Sequence, residues 1–349
     1  MKDNIELNIH ASTKKNLMWF SLKMVGAMDD AYGHNFWWSH DFLFLLYTKP
    51  ISSVTLNHSI SSQSFADDTQ LQNSCSLNSL QENIHNMQDC ISDIKAWMTS
   101  NKLRLNDDKT EVLFIHSNRQ NIPDTTPSSI CVGQSDVSFS SQARNLGVTM
   151  TDTLSMDKHI TNICRSANIE LRRIASIRHL LTIDSTKTLV HSLVLSKLDY
   201  CNSLLSNIPK VQIDRLQKIQ NSAARIIFRA KKSDHVQPLL QKLHWLPIHA
   251  RIQYKIATLC FKSITEPHFP IYLSELLHLS KPTRTLRSSQ DTRIFTVPRT
   301  RKATFGDRSF SVYAPSLWNS LPSYVRHSKT LSNFKTSLKT HLFCSSYHL

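Results

Sequence analysis

The sequence predicts an α+β protein, an antiparallel sheet with one long helix in the first 150 residues, followed by a helical bundle. Three observations predict it. Short apolar runs broken by turn signals fill residues 42–150, among them Ser64-Phe65-Ala66-Asp67-Asp68-Thr69-Gln70-Leu71, where an acidic pair between apolar flanks marks a β-hairpin turn. From 155 to 265 the apolar residues recur at helical spacing. Charge divides the same way. Residues 1–150 hold 11 Lys/Arg against 15 Asp/Glu, net −4, and residues 151–349 hold 30 against 11, net +19. A length of 349 residues fits about two domains, and 40% hydrophobic content with only 5 Gly suits a folded chain rather than a disordered one.

Residues 1–41 show neither helical nor strand periodicity. Phe42 to Leu56 reads as a buried helix interrupted at Pro50. A strand-turn-strand follows around Phe65–Leu71. Leu77 to Ser100 reads as a long amphipathic helix, with Leu80, Ile84, Met87, Cys90, Ile91, Ile94 and Trp97 on one face and Ser76 or Asn78 as its cap. After a turn at Asn101–Arg104 come strands at Thr110–Ile115, Ile130–Val132, Val137–Phe139 and Asn145–Met150, with a Pro- and Asn-rich loop at Ser117–Ser129.

The helical part opens with a stripe of Ile160, Ile163, Cys164, Ala167, Leu171, Ile174 and Ile177. A second helix spans Thr186–Leu198. A third carries Ile213, Leu216, Ala223, Ala224 and Ile227, and Ile252–Ile264 is a further one. Lys281–Lys302 is a basic linker. Val312–Trp318 and Phe334–Phe343 form short terminal helices. Four regions result: 1–41, 42–150, 155–265 and 266–349.

Composition excludes several classes. The 7 cysteines form no C-x-x-C pair, so zinc-ligand spacing is absent and a reducing compartment, nuclear or cytoplasmic, is expected. None of the 17 histidines sits in a metal-ligand pattern. The most apolar stretch, Phe36–Tyr47, is too short and too polar to span a bilayer, so no membrane partner is expected. A net +19 over residues 151–349 points to nucleic acid, whose phosphates basic faces track.

Paired carboxylates at a hairpin turn suit a divalent cation, although a solvated turn is the ordinary fate of such a pair. Its surroundings favour the cation. Phe65-Ala66-Asp67-Asp68 resembles the polymerase-site box of reverse transcriptases from non-LTR (LINE-type) retrotransposons. The resemblance continues in order through Ala96-Trp97-Met98, Asn101-Lys102-Leu103, Leu105-Asn106, Lys109-Thr110-Glu111-Val112, Asn145-Leu146-Gly147-Val148, His159-Ile160 and Ala314-Pro315-Ser316-Leu317-Trp318-Asn319-Ser320-Leu321-Pro322. It covers roughly residues 42 to 343.

The resemblance implies a partial reverse-transcriptase palm over 42–150, a thumb-like helical region over 155–265 and a basic C-terminal region. It implies an RNA template and DNA primer as partners and RNA-directed DNA synthesis with Mg²⁺ as the chemistry. Asp67 would be the principal metal ligand and Asp68 its support. Phe65 would pack beneath the hairpin, and Lys109 would lie near the triphosphate. Gly147 would allow the close backbone approach of a primer-grip hairpin. Arg172, Arg173, Arg215, Lys218, Arg225 and Arg229 would face nucleic-acid phosphates. The family's fingers and its first catalytic Asp, carried on a strand beside the hairpin, have no visible counterpart ahead of residue 42. Asp29-Asp30 lacks the flanks of that strand. The expectation is therefore a reverse-transcriptase-like fragment inactive by itself, the alternative being a non-catalytic nucleic-acid binder using its basic half.

Overall fold

The computed structural model describes residues 16–26, 37–106, 109–117, 127–132, 135–280, 293–300 and 306–348. The chain is α+β and forms two compact units, Lys14–Ser155 and Met156–Leu349.

In the first unit the sheet is organised around β1 (Asn16–Gly26), a strand in the segment whose sequence shows no periodicity. Met18, Trp19, Phe20, Ser21 and Leu22 are all buried, so both faces of this strand are covered and no polar alternation remains to be read. Helices α1 (Trp37–Thr48) and α2 (Ile51–Asn57) follow, separated at Lys49-Pro50. They are less buried than their sequence suggests: Leu43 is 60% and Leu56 71% exposed, whereas Ile51 is buried.

Strands β2 (Ser61–Phe65) and β3 (Asp68–Cys75) form the hairpin. Helix α3 (Leu80–Ser100) buries Leu80, Ile84, Met87, Cys90, Ile91 and Ile94, while Trp97 is only partly covered. Ser76 caps the 3₁₀ turn ahead of it, its side chain accepting a hydrogen bond from the Ser79 amide. The sheet order is β2-β3-β1-β4, with β4 (Leu103–Leu105) and β5 (Glu111–Ile115) both antiparallel to β1. Met18, Phe20 and Leu22 pack with α3 in one core together with Leu71, Val112 and Phe114. Burying these side chains stabilises the unit by roughly 2 kcal/mol each.

Strands β6 (Ser129–Val132) and β7 (Ser135–Ser138) pair with each other. Residues 142–151 are not one strand but a hairpin of β8 (Gln142–Asn145) and β9 (Val148–Thr151). Its two turn residues are left-handed, Leu146 at φ 44° and Gly147 at φ 87°, as a tight two-residue connection requires.

The second unit is helical. Helix α4 (Asp157–Ile177) buries Ile160, Ile163, Ala167, Leu171 and Ile174 and packs on α6 (Lys210–Phe228). Between them, α5 (Ile183–Val190) passes into a π-helical turn at His191–Leu195. After α7 (Gln237–Lys242), α8 (Ile248–Thr265) packs against α9 (Phe310–Ser320) and α10 (Leu331–Tyr347). Trp318 is fully buried at that junction, beside Phe295 and Phe334, and its Nε1 donates to the Arg293 carbonyl at 2.7 Å. Asn319 accepts from the Phe295 amide and donates to its carbonyl, pinning that extended segment to α9. The Ala314–Pro322 motif thus forms part of the core.

Candidate functional site

The Asp67–Asp68 hairpin is a two-residue turn, with Phe65 and Asp68 as register partners. Its first central residue, Ala66, holds φ 52°, a conformation unfavourable for any residue with a Cβ. Phe65 is buried beneath the turn, Asp67 is exposed and Asp68 half-buried. The Ser64 and Thr69 hydroxyls are 3.0 Å apart, bonding across the two strands just behind the carboxylates.

Sheet register sets what surrounds them. Asp68 pairs with Lys23 of β1, and on the opposite edge of β1 the ladder runs from Glu111 (against Ser21) to Leu105 (against Met24). Lys109 lies between β4 and β5, exposed, its amide donating to the Asn106 carbonyl at 3.2 Å. The Phe65-Ala66-Asp67-Asp68 turn and the Lys109 segment thus reach the same end of the sheet, two strands apart.

A second pair of segments meets through side chains. Asn145 Nδ2 donates to Gln70 Oε1 at 3.1 Å, and Gln70 Nε2 donates back to Asn145 Oδ1. Gln70 is 3% and Asn145 5% exposed. Two buried amides can be satisfied this way, each donating and accepting once. The bond ties the aspartate hairpin to the Leu146-Gly147 hairpin. Nearby, the Arg144 amide donates to Glu111 Oε2 at 3.2 Å. Neither Gln70 nor Asn145 stands out from the sequence, although both belong to motifs that do.

The donor set does not fit a two-metal centre. The resemblance implies a third carboxylate on the strand beside the hairpin. That strand is β1, Asn-Leu-Met-Trp-Phe-Ser-Leu-Lys-Met-Val-Gly, which holds neither Asp nor Glu and sets a lysine against Asp68. Among the described residues no group of three or more His, Cys, Asp or Glu is arranged to hold a metal ion. Asp29-Asp30 lies outside the described residues.

The six basic residues that the sequence singles out, Arg172, Arg173, Arg215, Lys218, Arg225 and Arg229, fall into two sets. Arg172 and Lys218 are exposed on α4 and α6. The others have partners. Arg173 lies 3.4 Å from Glu170, and Arg215 bonds Gln212 and the Thr161 hydroxyl, each at 2.9 Å. Arg225 donates to the Asp234 carbonyl at 3.1 Å. Arg229 is the left-handed C-cap of α6, and its guanidinium donates to the Arg178 carbonyl at 3.0 Å. Among the described residues no helix is long and apolar enough to cross a membrane. No family model and no curated protein matches the chain.

Proposed function

We propose that this chain is a reverse-transcriptase-like protein of the non-LTR retrotransposon kind, its polymerase centre incomplete and its basic helical unit a nucleic-acid-binding surface. The observation that carries the reading is the Gln70–Asn145 pair. Two segments singled out independently by their sequence are joined by reciprocal buried hydrogen bonds across 75 positions. The shared sheet end of the Asp67–Asp68 turn and Lys109 supports it further. In this reading residues 42–150 are a partial palm, the helices of 155–265 a thumb and 266–349 a basic C-terminal region. RNA template and DNA primer are the partners, and Asp67 and Asp68 are what remains of a Mg²⁺ site.

A second reading, a nucleic-acid binder with no polymerase role, is favoured by one observation, that β1, the strand paired with the hairpin, holds neither Asp nor Glu. Phosphoryl transfer depends on positioned metal charge, and a centre short of a carboxylate is poorly suited to it.

Mg²⁺-dependent primer extension on an RNA template–DNA primer duplex tests the first reading, with Asp67→Ala/Asp68→Ala as control. Extension by the wild type that the double variant loses means a working polymerase. Silence from both, with duplex binding intact and falling steeply with salt, leaves a binding protein. Absence of binding at low salt removes both readings. Lys23→Asp sharpens the test: a carboxylate at the register partner of Asp68 should tighten Mg²⁺ binding by about tenfold. An unchanged affinity measured by titration calorimetry removes Asp68 from any metal site.

A further inference from the structure

Helix α2 is seven residues long, too short to persist without tertiary contacts, and of its residues Ile51 and Thr55 are the buried ones. Two polar contacts hold its C-terminal half. The Thr55 hydroxyl lies 2.7 Å from that of Ser62 on β2, the edge strand of the aspartate hairpin. The other contact is made by His58, which closes α2 just before Ser59, left-handed at φ 55°, turns the chain toward β2.

His58 reaches across to α3. Its Nδ1 is 3.3 Å from Asn86 Oδ1, and its Nε2 is 2.8 Å from Asp93 Oδ2. The Asn86 amide is not free to turn over, because its Nδ2 donates to the His58 carbonyl at 2.9 Å and leaves the oxygen to face the ring. Both ring nitrogens therefore meet acceptors. A neutral imidazole has one N–H, so in either tautomer its other nitrogen would aim a lone pair at an oxygen. The side chain is 17% exposed, which leaves little room for water to intervene. The imidazolium alone satisfies both contacts.

Few other charges surround the ring. Neither α2 nor β2 carries a titratable side chain, and the lysine ahead of α2, Lys49, is exposed. Helix α3 contributes Glu82, His85, Asp89 and Asp93, the middle two facing each other at 3.8 Å. Cys90 lies between Asn86 and Asp93 on α3, and burial, followed by the Asp93 charge, pushes its thiol up to about 12, so it stays neutral.

We infer that His58 is a proton-operated latch: protonated, it clamps α2 to α3, and deprotonated, it gives up one of its two bonds and lets α2 open, loosening the hold on β2 behind the Asp67–Asp68 turn. Histidine is the side chain whose charge ordinarily changes between about pH 5 and 8. The latch is closed in acid and released as pH rises. A short helix with two buried residues belongs to the least stable part of a fold, so the loss of one bond shows there first.

Hydrogen exchange of the full chain tests the latch, read by mass spectrometry on peptides covering Ile51–Ile60 and corrected for the intrinsic pH dependence of exchange. Opening of this segment should be about tenfold more frequent at pH 8 than at pH 6, as expected from losing one charge-assisted hydrogen bond. Asp93→Asn supplies an amide that can donate to an unprotonated ring nitrogen, so its opening at pH 8 should match that at pH 6. His58→Gln, which does not titrate in this range, should also open alike at both. Circular dichroism verifies the folds, and either variant decides alone if the other does not fold. Equal opening of the wild type at the two pH values overturns the inference. So does a rise at pH 8 that survives in either variant, since the sensor would then lie elsewhere.

Discussion

The sheet unit and the helical unit bury polar groups in opposite ways. In the sheet unit, the polar contact between the two hairpins is neutral, two amides that satisfy each other. The helical unit buries cations. Arg178, 8% exposed, donates to the carbonyls of Leu181, Ile226 and Ile227 at 2.7, 2.9 and 2.6 Å, and Arg326, 7% exposed, donates to Leu321 at 3.0 Å. The Ile226 and Ile227 carbonyls belong to the last turn of α6, where unpaired acceptors and the negative end of the helix dipole lie. With 30 Lys/Arg and only 11 Asp/Glu over residues 151–349, carboxylates cannot match every cation. Helix ends stand in for them. Arg172 and Lys218 stay exposed on α4 and α6, as the proposed phosphate-binding surface requires.

The comparison can be broken most severely at Arg178. Arg178→Ala leaves the end of α6 without its donors and should destabilise the helical unit by about 4 kcal/mol, with the sheet unit unaffected. Differential scanning calorimetry resolving one shifted transition supports the contrast, and a shift of both transitions or of neither contradicts it.

Acid is the next strongest lever. His159, 4% exposed on α4, is held at a pKa of about 4 by burial. The unfolded chain takes up that proton near 6.5, so between these values the unfolded state binds more protons and stability falls as pH is lowered. Moving from pH 7 to pH 4 should remove roughly 3 kcal/mol from the helical unit, since protonation adds a further buried cation to it. Denaturation followed by tryptophan fluorescence should show His159→Gln with a much flatter pH dependence, and a slope equal to wild type would refute the assignment.

The neutral pair in the sheet unit is expected to behave differently. Gln70→Leu alone strands the Asn145 amide and should cost about 2 kcal/mol, whereas Gln70→Leu/Asn145→Leu recovers most of it because no polar group remains unpaired. Additive losses in a urea-denaturation cycle would show that the two residues act separately. The smallest effect belongs to Ala66→Gly, which relieves the φ of 52° and should stabilise the sheet unit by about 1 kcal/mol. A lower midpoint in the same urea assay would count against strain at that turn.

What the sequence revealed depended on how local the cause was. Helix α3 shows plainly in the spacing of Leu80, Ile84, Met87, Ile91 and Ile94, because one face meets the sheet and the other water. The turn at Asp67 was legible for the same reason. β1 was not. A strand covered on both faces has no alternation, and its partners lie far along the chain. The β8–β9 hairpin reads as one strand because Asn145-Leu146-Gly147-Val148 lacks the Asn-Gly or Asp-Gly pair that announces such a turn. Phe42–Tyr47 reads as buried from its apolar run alone, yet Leu43, Leu46 and Tyr47 are about half exposed or more, since a run without periodicity does not say which side meets a core. Asp67, Asp68, Lys109 and Gly147 carried their signal in short motifs.

The central place of β1 also fixes the order of events during synthesis. This strand leaves the ribosome before either neighbour exists, with Leu17 waiting for Ser74 on one side and Ile115 on the other. Until about residue 115 has emerged, the most apolar ribbon of the sheet remains without its two edges, the circumstance in which strands seek foreign partners. The helical unit has no such wait within α4, whose turns close as they are made. Pulse-labelled chains stalled short of residue 115 are therefore where this protein would call most heavily on chaperones.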